Sequence, residues 1–207
     1  MPSVSSRLTT TSFAILGLLA VRSWTTYELT KQVQRSLHWF WPRAERKLYD
    51  EPKRLAAAGL ARAVEERTGR RRGTRYTITA RGRRELASWL GLPPAPRSSE
   101  FEGMVKVFFA DCGDLAQLRA TLEQIAAEAR ARIDVLESMT GDDLAGRSQF
   151  PQRLHLAALT LPFQHEQERA TLHWAHWALT QTDQWASTTD PGDWDVAAAL
   201  RGTLAGE

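Results

Sequence analysis

A single cysteine, Cys112, in 207 residues excludes an intrachain disulfide framework and any cysteine-rich zinc site, and makes a reducing, cytoplasmic compartment the default. Long apolar runs are missing too. The longest, Phe13 to Val21, has nine residues, against the ~20 that a membrane-spanning helix needs, so no membrane partner is expected. Residues 1–12 carry one arginine among many serines and threonines, and no small-residue cleavage site follows the apolar run. That stretch reads as a disordered leader, not a signal peptide. Signatures of catalysis are absent as well: there is no G-x-S-x-G, no H-E-x-x-H, no P-loop lysine after Gly69 and Gly73, and no Cys/His pair at a recognisable spacing. No enzyme activity and no cofactor are expected. His173 and His176 stand at i, i+3 near Glu166 and Glu168, but without a compelling third ligand no metal site is assigned.

What is present is charge, unevenly placed. Residues 1–91 carry 18 Lys and Arg against 7 Asp and Glu, whereas 92–207 carry 9 against 17, so a first part at +11 precedes a second at −8 behind an overall +3. Such asymmetry suggests that one part meets a polyanion and the other does not. The break falls at Gly91 to Ser99, where Pro93, Pro94 and Pro96 cannot continue a helix. The expected organisation is a leader over 1–12, a first domain over 13–91, a linker over 92–99, a second domain over 100–190 and a tail over 191–207.

In the first domain, Ser12 is expected to cap a buried helix from Phe13 to Val21, followed by a turn at Arg22 to Trp24. Thr25-Thr26-Tyr27-Glu28 has the capping-box form, and Leu29, Val33 and Leu37 give the second helix one buried face. Pro42 suits the first turn of a third helix with Leu48 and Leu55 inside and Gly59 as its stop. Leu60 to Glu66 and Arg75 to Thr79 alternate as strands, joined by an arginine-rich connection over 68–74, and Thr79 caps a fourth helix burying Leu86, Trp89 and Leu90. The fold class is mainly α with a small β-hairpin: an N-terminal winged helix-turn-helix domain and a C-terminal antiparallel helical dimerisation domain.

In such a module the third helix enters the major groove and the hairpin lies along the phosphates or reaches the minor groove. Arg43, Arg46, Lys47 and Tyr49 occupy the start of the third helix, with Lys53 a turn on, and Arg70, Arg71, Arg72 and Arg75 lie in the wing. Arginine suits both tasks because its planar fork pairs with phosphate or with the guanine edge. Double-stranded DNA is the expected partner. The alternative is a protein-interaction module that uses the winged fold as a scaffold and docks an acidic protein partner with the same basic face.

Residues 13–90 resemble the PadR family of bacterial winged-helix transcriptional regulators. The resemblance lies in Ile15-Leu16-Gly17-Leu18-Leu19, Tyr27-Glu28-Leu29, Phe40-Trp41-Pro42, Leu48-Tyr49 with Lys53-Arg54-Leu55, and Gly59-Leu60. It continues through Gly73-Thr74-Arg75-Tyr76, Thr77-Ile78-Thr79, Gly82-Arg83, Leu86 and Trp89-Leu90. Thr26 stands where the family commonly has Gly, and Asp50 where a Pro usually follows Leu-Tyr, with Pro52 two positions later. The resemblance implies a homodimeric repressor whose two winged heads bind a pseudo-palindromic operator, released by a small aromatic or drug-like effector.

The second domain reads as helical. Phe101, Val105, Phe108 and Cys112 share one face of a segment from Glu100 to Cys112, on which Cys112 is expected to be buried. Asp114 and Gln117 open a long helix ending at Gly141, about 37 Å in length, comparable with the ~34 Å between successive major-groove faces. A last helix runs from Gln152 to about Trp185, kinked at Pro162. Leu115, Leu118, Leu122, Ile125 and Leu136 on the one, with Leu161, Leu172 and Leu179 on the other, form the seams assigned to a homodimer. A stripe at helical spacing also suits an intrachain core. Trp174 and Trp177, with Trp39 and Trp41 from the third helix, are the candidate effector pocket.

Overall fold

The chain divides into two units, Met1–Arg97 and Ser98–Glu207. The structure, a computed structural model, describes the backbone of residues 8–37, 45–68, 71–97 and 100–204, and within these the side chains of all but 45–47, 67–68 and 71–72.

In the first unit, α1 (Thr10–Val21) starts earlier than expected, because Thr9 and not Ser12 is the N-cap. Its side chain caps the Ser12 N–H, while the Ser12 hydroxyl accepts the Thr9 N–H at 2.9 Å. Ser12 is therefore the third residue of a capping box, and Thr10 to Ser12, assigned to the leader, are helical. Met1–Arg7 lie outside the described residues. Ile15, Leu16 and Leu19 are buried.

The expected turn after α1 contains a short strand, β1 (Trp24–Thr25), and the Trp24 indole N–H donates to the Leu18 carbonyl at 2.7 Å. Thr25 then caps α2 (Thr26–Gln32) in the expected capping box with Glu28, and the helix continues as a π-helical turn over Val33–Leu37. The third helix, α3 (Glu45–Ala57), ends at Gly59 with φ +72°. There the Gly59 N–H donates to Ala56 and the Leu60 N–H to Leu55, a paired termination that a left-handed glycine permits.

Strands β2 (Ala61–Thr68) and β3 (Arg71–Ile78) pair antiparallel from Ala61↔Ile78 to Thr68↔Arg71, and β1 adds to the other edge of β3. The hairpin is thus longer than expected, with only positions 69 and 70 between its strands. Apolar alternation marks strands with one face buried; the sequence of the outer wing carries no such signal, but its backbone ladder still closes. Thr79 caps α4 (Ala80–Leu90), its hydroxyl accepting from the Gly82 N–H at 3.0 Å. A Cβ at Gly82 would overlap the Leu60 carbonyl oxygen, so glycine lets α4 seat on the strand root. On α4, Trp89 stacks flat against Phe13 at 4.8 Å, but Leu90, expected inside, is exposed.

The second unit contains α5 (Glu102–Phe108), a 3-10 turn at Ala110–Cys112, α6 (Leu115–Leu144), a 3-10 turn at Pro151–Arg153, α7 (Leu154–Thr182) and α8 (Val196–Gly202). Asp114 and Gln117 cap α6 reciprocally. Gly141 does not stop α6: a glycine inside a helix costs about 1 kcal/mol but does not break it. The helix ends just before Gly146, which has φ +74°. At 30 residues α6 is about 45 Å long, so its expected match to the groove spacing does not hold.

Helix α7 returns antiparallel along α6. Arg119 near the start of α6 bonds Asp183 beyond the end of α7, Arg132 pairs with Glu168 at 3.2 Å, and Glu137 meets His165 at 3.2 Å. Between them lie Leu118, Leu122, Ile125, Ala126, Ala129, Ile133 and Leu136 of α6, with Leu172 and Ala175 of α7. Pro162 lies inside α7, whose helical assignment runs through it. After α7 the chain folds back: the Thr188 hydroxyl donates to the Gly113 carbonyl at 3.0 Å and the Trp194 indole N–H to Gln181 Oε1 at 2.8 Å, with the Trp185 and Trp194 rings 5.2 Å apart. Helix α8 then occupies part of the stretch expected to be a tail.

Candidate nucleic-acid interface

Helix α3 has two unlike faces. Leu48, Glu51, Pro52 and Leu55 are buried, at the i, i+3/i+4, i+7 spacing of one helical side. Tyr49, 40% exposed, and Lys53 lie one turn apart on the other side. Asp50 is 4.0 Å from Lys53 with both side chains open to solvent, a pairing too weak to hold the ammonium. The helix runs through Pro52, whose ring is packed inside. Glu51 is buried without a signal in the sequence; one of its oxygens meets Arg54 at 3.2 Å and the other has no hydrogen-bond partner among the described residues. Arg46 and Lys47 belong to the first turn of α3, but their side chains, like the whole of Arg43, Trp39 and Trp41, lie outside the described residues.

The wing arginines separate into two groups. Arg71 and Arg72 belong to β3, opposite Thr68 and Arg67, while Arg70 lies outside the described residues. Arg75, expected to hold a phosphate, is half-buried and engaged within the unit. Its Nε donates to Glu66 Oε2 at 2.7 Å, and its Nη1 donates to Glu28 Oε2 at 3.2 Å and to the Ser23 carbonyl at 3.3 Å. Burial alone would raise the Glu28 pKa. The Thr25 backbone N–H and hydroxyl, with the Arg75 and Arg22 charges, outweigh that and hold the carboxyl below its ordinary value. The hydrogen bond to Glu66 leads the causes that raise the Arg75 pKa. A guanidinium committed to two carboxylates has little left for a phosphate.

In the second unit, five of the seam residues assigned to a homodimer, Leu118, Leu122, Ile125, Leu136 and Leu172, are buried inside one chain because α7 covers α6; Leu115, Leu161 and Leu179 are partly buried. Trp174 packs against the cluster formed by Ile125, Ala126, Ala129, Ile133, Leu172 and Ala175, whereas Trp177 is exposed. Cys112, expected inside, is exposed in its 3-10 turn, and so are Phe101, Val105 and Phe108 of its presumed apolar face. Among the described residues no three His, Cys, Asp or Glu side chains are placed to hold a metal, and no helix is long and apolar enough to cross a membrane.

Three helices followed by a paired wing and a fourth helix define the first unit as a winged helix-turn-helix module. Comparison with known proteins agrees. Residues 15–88 match the transcriptional regulator PadR-like family, and residues 102–183 match the virulence activator alpha C-terminal family. The chain thus carries a PadR-like domain followed by a helical C-terminal region. It is 31% identical over 102 residues to the negative transcriptional regulator PadR of Bacillus subtilis, an alignment covering 48% of this chain and 56% of that protein. It thus spans little more than half the length of that relative. The crystal structure of Bacillus subtilis PadR in complex with operator DNA superposes with a TM-score of 0.71 at 23% identity, over 84% of this chain and 99% of the other. PadR in complex with p-coumaric acid superposes at 0.63 and 25% identity, over 83% and 98%.

Proposed function

We propose that the chain is a transcriptional repressor that binds an operator as a homodimer in the bacterial cytoplasm and is released by a small aromatic effector. The observation that carries the reading is the polarity of α3, which buries Leu48, Pro52 and Leu55 and presents Tyr49 and Lys53 beside a wing rich in arginine. In this reading Arg43, Arg46, Lys47 and Tyr49 face the groove, and Lys53, Arg70, Arg71 and Arg72 hold phosphates. The fold shared with an operator-bound PadR supports it.

Apolar side chains left uncovered in the second unit support the homodimer: Phe108 is 79% exposed and Leu159 72%, areas that one chain alone gives to water. For the effector, the p-coumaric acid complex of PadR favours an aromatic acid, and Trp174 and Trp177 are the described aromatic candidates for its site. Fluorescence anisotropy on a labelled duplex from the gene's own upstream region, against random duplex, tests the reading across a salt series. Arg70, Arg71 and Arg72 replaced together by Ala should weaken binding to both duplexes and flatten the salt slope by up to roughly 0.9 per lost phosphate contact. An unchanged slope removes the wing from the interface, and equal affinity for both duplexes removes the operator.

A further inference from the structure

We propose that Arg75 is a positioning residue that sets the wing on the helix-turn-helix through Glu28 and Glu66 without touching DNA; the proposal rests on the DNA-binding reading above. Three segments meet at its guanidinium. Glu66 is on β2, Arg75 is on β3, and Glu28 is the residue of α2 that closes the capping box with Thr25. A single atom, Glu28 Oε2, accepts both the Thr25 backbone N–H at 2.7 Å and Arg75 Nη1 at 3.2 Å. Thr25 is also the strand partner of Arg75 across β1 and β3. The carboxylate that starts the first helix of the helix-turn-helix therefore also anchors the wing.

The anchor sits at a lever's base. Val64, opposite Arg75, and Glu65, the next residue outward, are both exposed, so among the described side chains these two of β2 leave the core at the level of Arg75. Arg71 is four strand residues from Arg75, about 13 Å at ~3.3 Å per residue. A tilt of about 10° at the base moves the arginines by roughly 2 Å, enough to break a hydrogen bond to phosphate. The geometry also demands arginine. Nε and Nη1 reach two separate carboxylates from one rigid plane, which a lysine ammonium cannot reproduce. It further explains two acidic side chains on a strongly basic unit: each is neutralised internally, so neither repels a duplex.

Glu28→Gln and Arg75→Lys in the full chain test this, because Gln still closes the capping box while removing the charge. In the free protein, both variants should speed hydrogen exchange at the β2–β3 amides while α1 and α6 stay as protected as before. Unchanged exchange at the wing overturns the anchor whatever happens with DNA. On duplex, Glu28→Gln should weaken binding about tenfold, the equivalent of one lost charge-assisted hydrogen bond. Simple Coulomb attraction predicts the opposite sign, since a negative charge has been taken away. The loss should vanish when Arg70, Arg71 and Arg72 are already Ala, because a wing without ligands gains nothing from its angle. Equal or tighter binding by Glu28→Gln, or a loss that persists in that background, overturns the positioning role. Wild-type protein that binds no duplex sinks the DNA reading instead, and the exchange result is then judged separately.

Discussion

The two units use apolar surface differently. The first packs its core between α1, α2, α3 and the sheet, which leave Ile15, Leu16 and Leu29 with no exposed area. The second has one long seam between α6 and α7, and places Phe108, Leu144, Leu159 and Phe163 in water. A unit that closes on itself has no need of a partner for stability, whereas one that leaves large apolar groups uncovered has surface to gain by association. The proposed roles, DNA binding for the first unit and association for the second, fit that difference.

Leu16→Ala gives the largest effect expected from this contrast. Removing a fully buried leucine should lower the stability of the first unit by about 2–5 kcal/mol, read by denaturant unfolding, with a midpoint that does not change with protein concentration. Phe108→Ser comes next. It removes little packing within the chain, yet if a second copy covers the ring the dimer should lose about 1.5–3 kcal/mol, seen as a shift to monomer in sedimentation velocity. An unshifted distribution would make the exposed face something other than a dimer contact.

The smallest effect concerns Glu28 and acid. Its folded pKa lies below the ordinary 4.5, so its contribution is complete above that value and fades as pH falls through the lower, folded pKa. Wild-type stability should therefore slope downward below about pH 4.5, and Glu28→Gln should reduce that slope in the first unit while leaving the α6–α7 seam unaffected. Equal acid profiles would show that the carboxylate holds no preferred charge state there.

Legibility in the sequence followed the range of the interaction. Caps are local, and Thr25 with Glu28, Thr79, and Asp114 with Gln117 were all readable from spacing. Gly141 misled because a glycine marks a helix end only when its backbone turns left-handed, and Gly146 does so instead. The partners of Arg75 are not local: a run of arginines looks uniform in one dimension, and only β-pairing shows that this one sits beside Ser23, Glu28 and Glu66. The dimer seams were correctly seen as apolar stripes, but a stripe does not name its partner, and α7 of the same chain occupies most of that of α6. Cys112 and Leu90 were placed inside by their neighbours' character, although exposure depends on what packs opposite them.

The match to the virulence activator alpha C-terminal family ends at residue 183, yet the fold of the second unit does not. Thr188 latches onto the carbonyl of Gly113, and Trp194 onto Gln181, so residues past that limit finish the open end of the helical pair. A fragment trimmed to the common region would leave that carbonyl and that amide without their donors and strip away an indole. A shortened chain meant to keep both bonds should extend past Trp194.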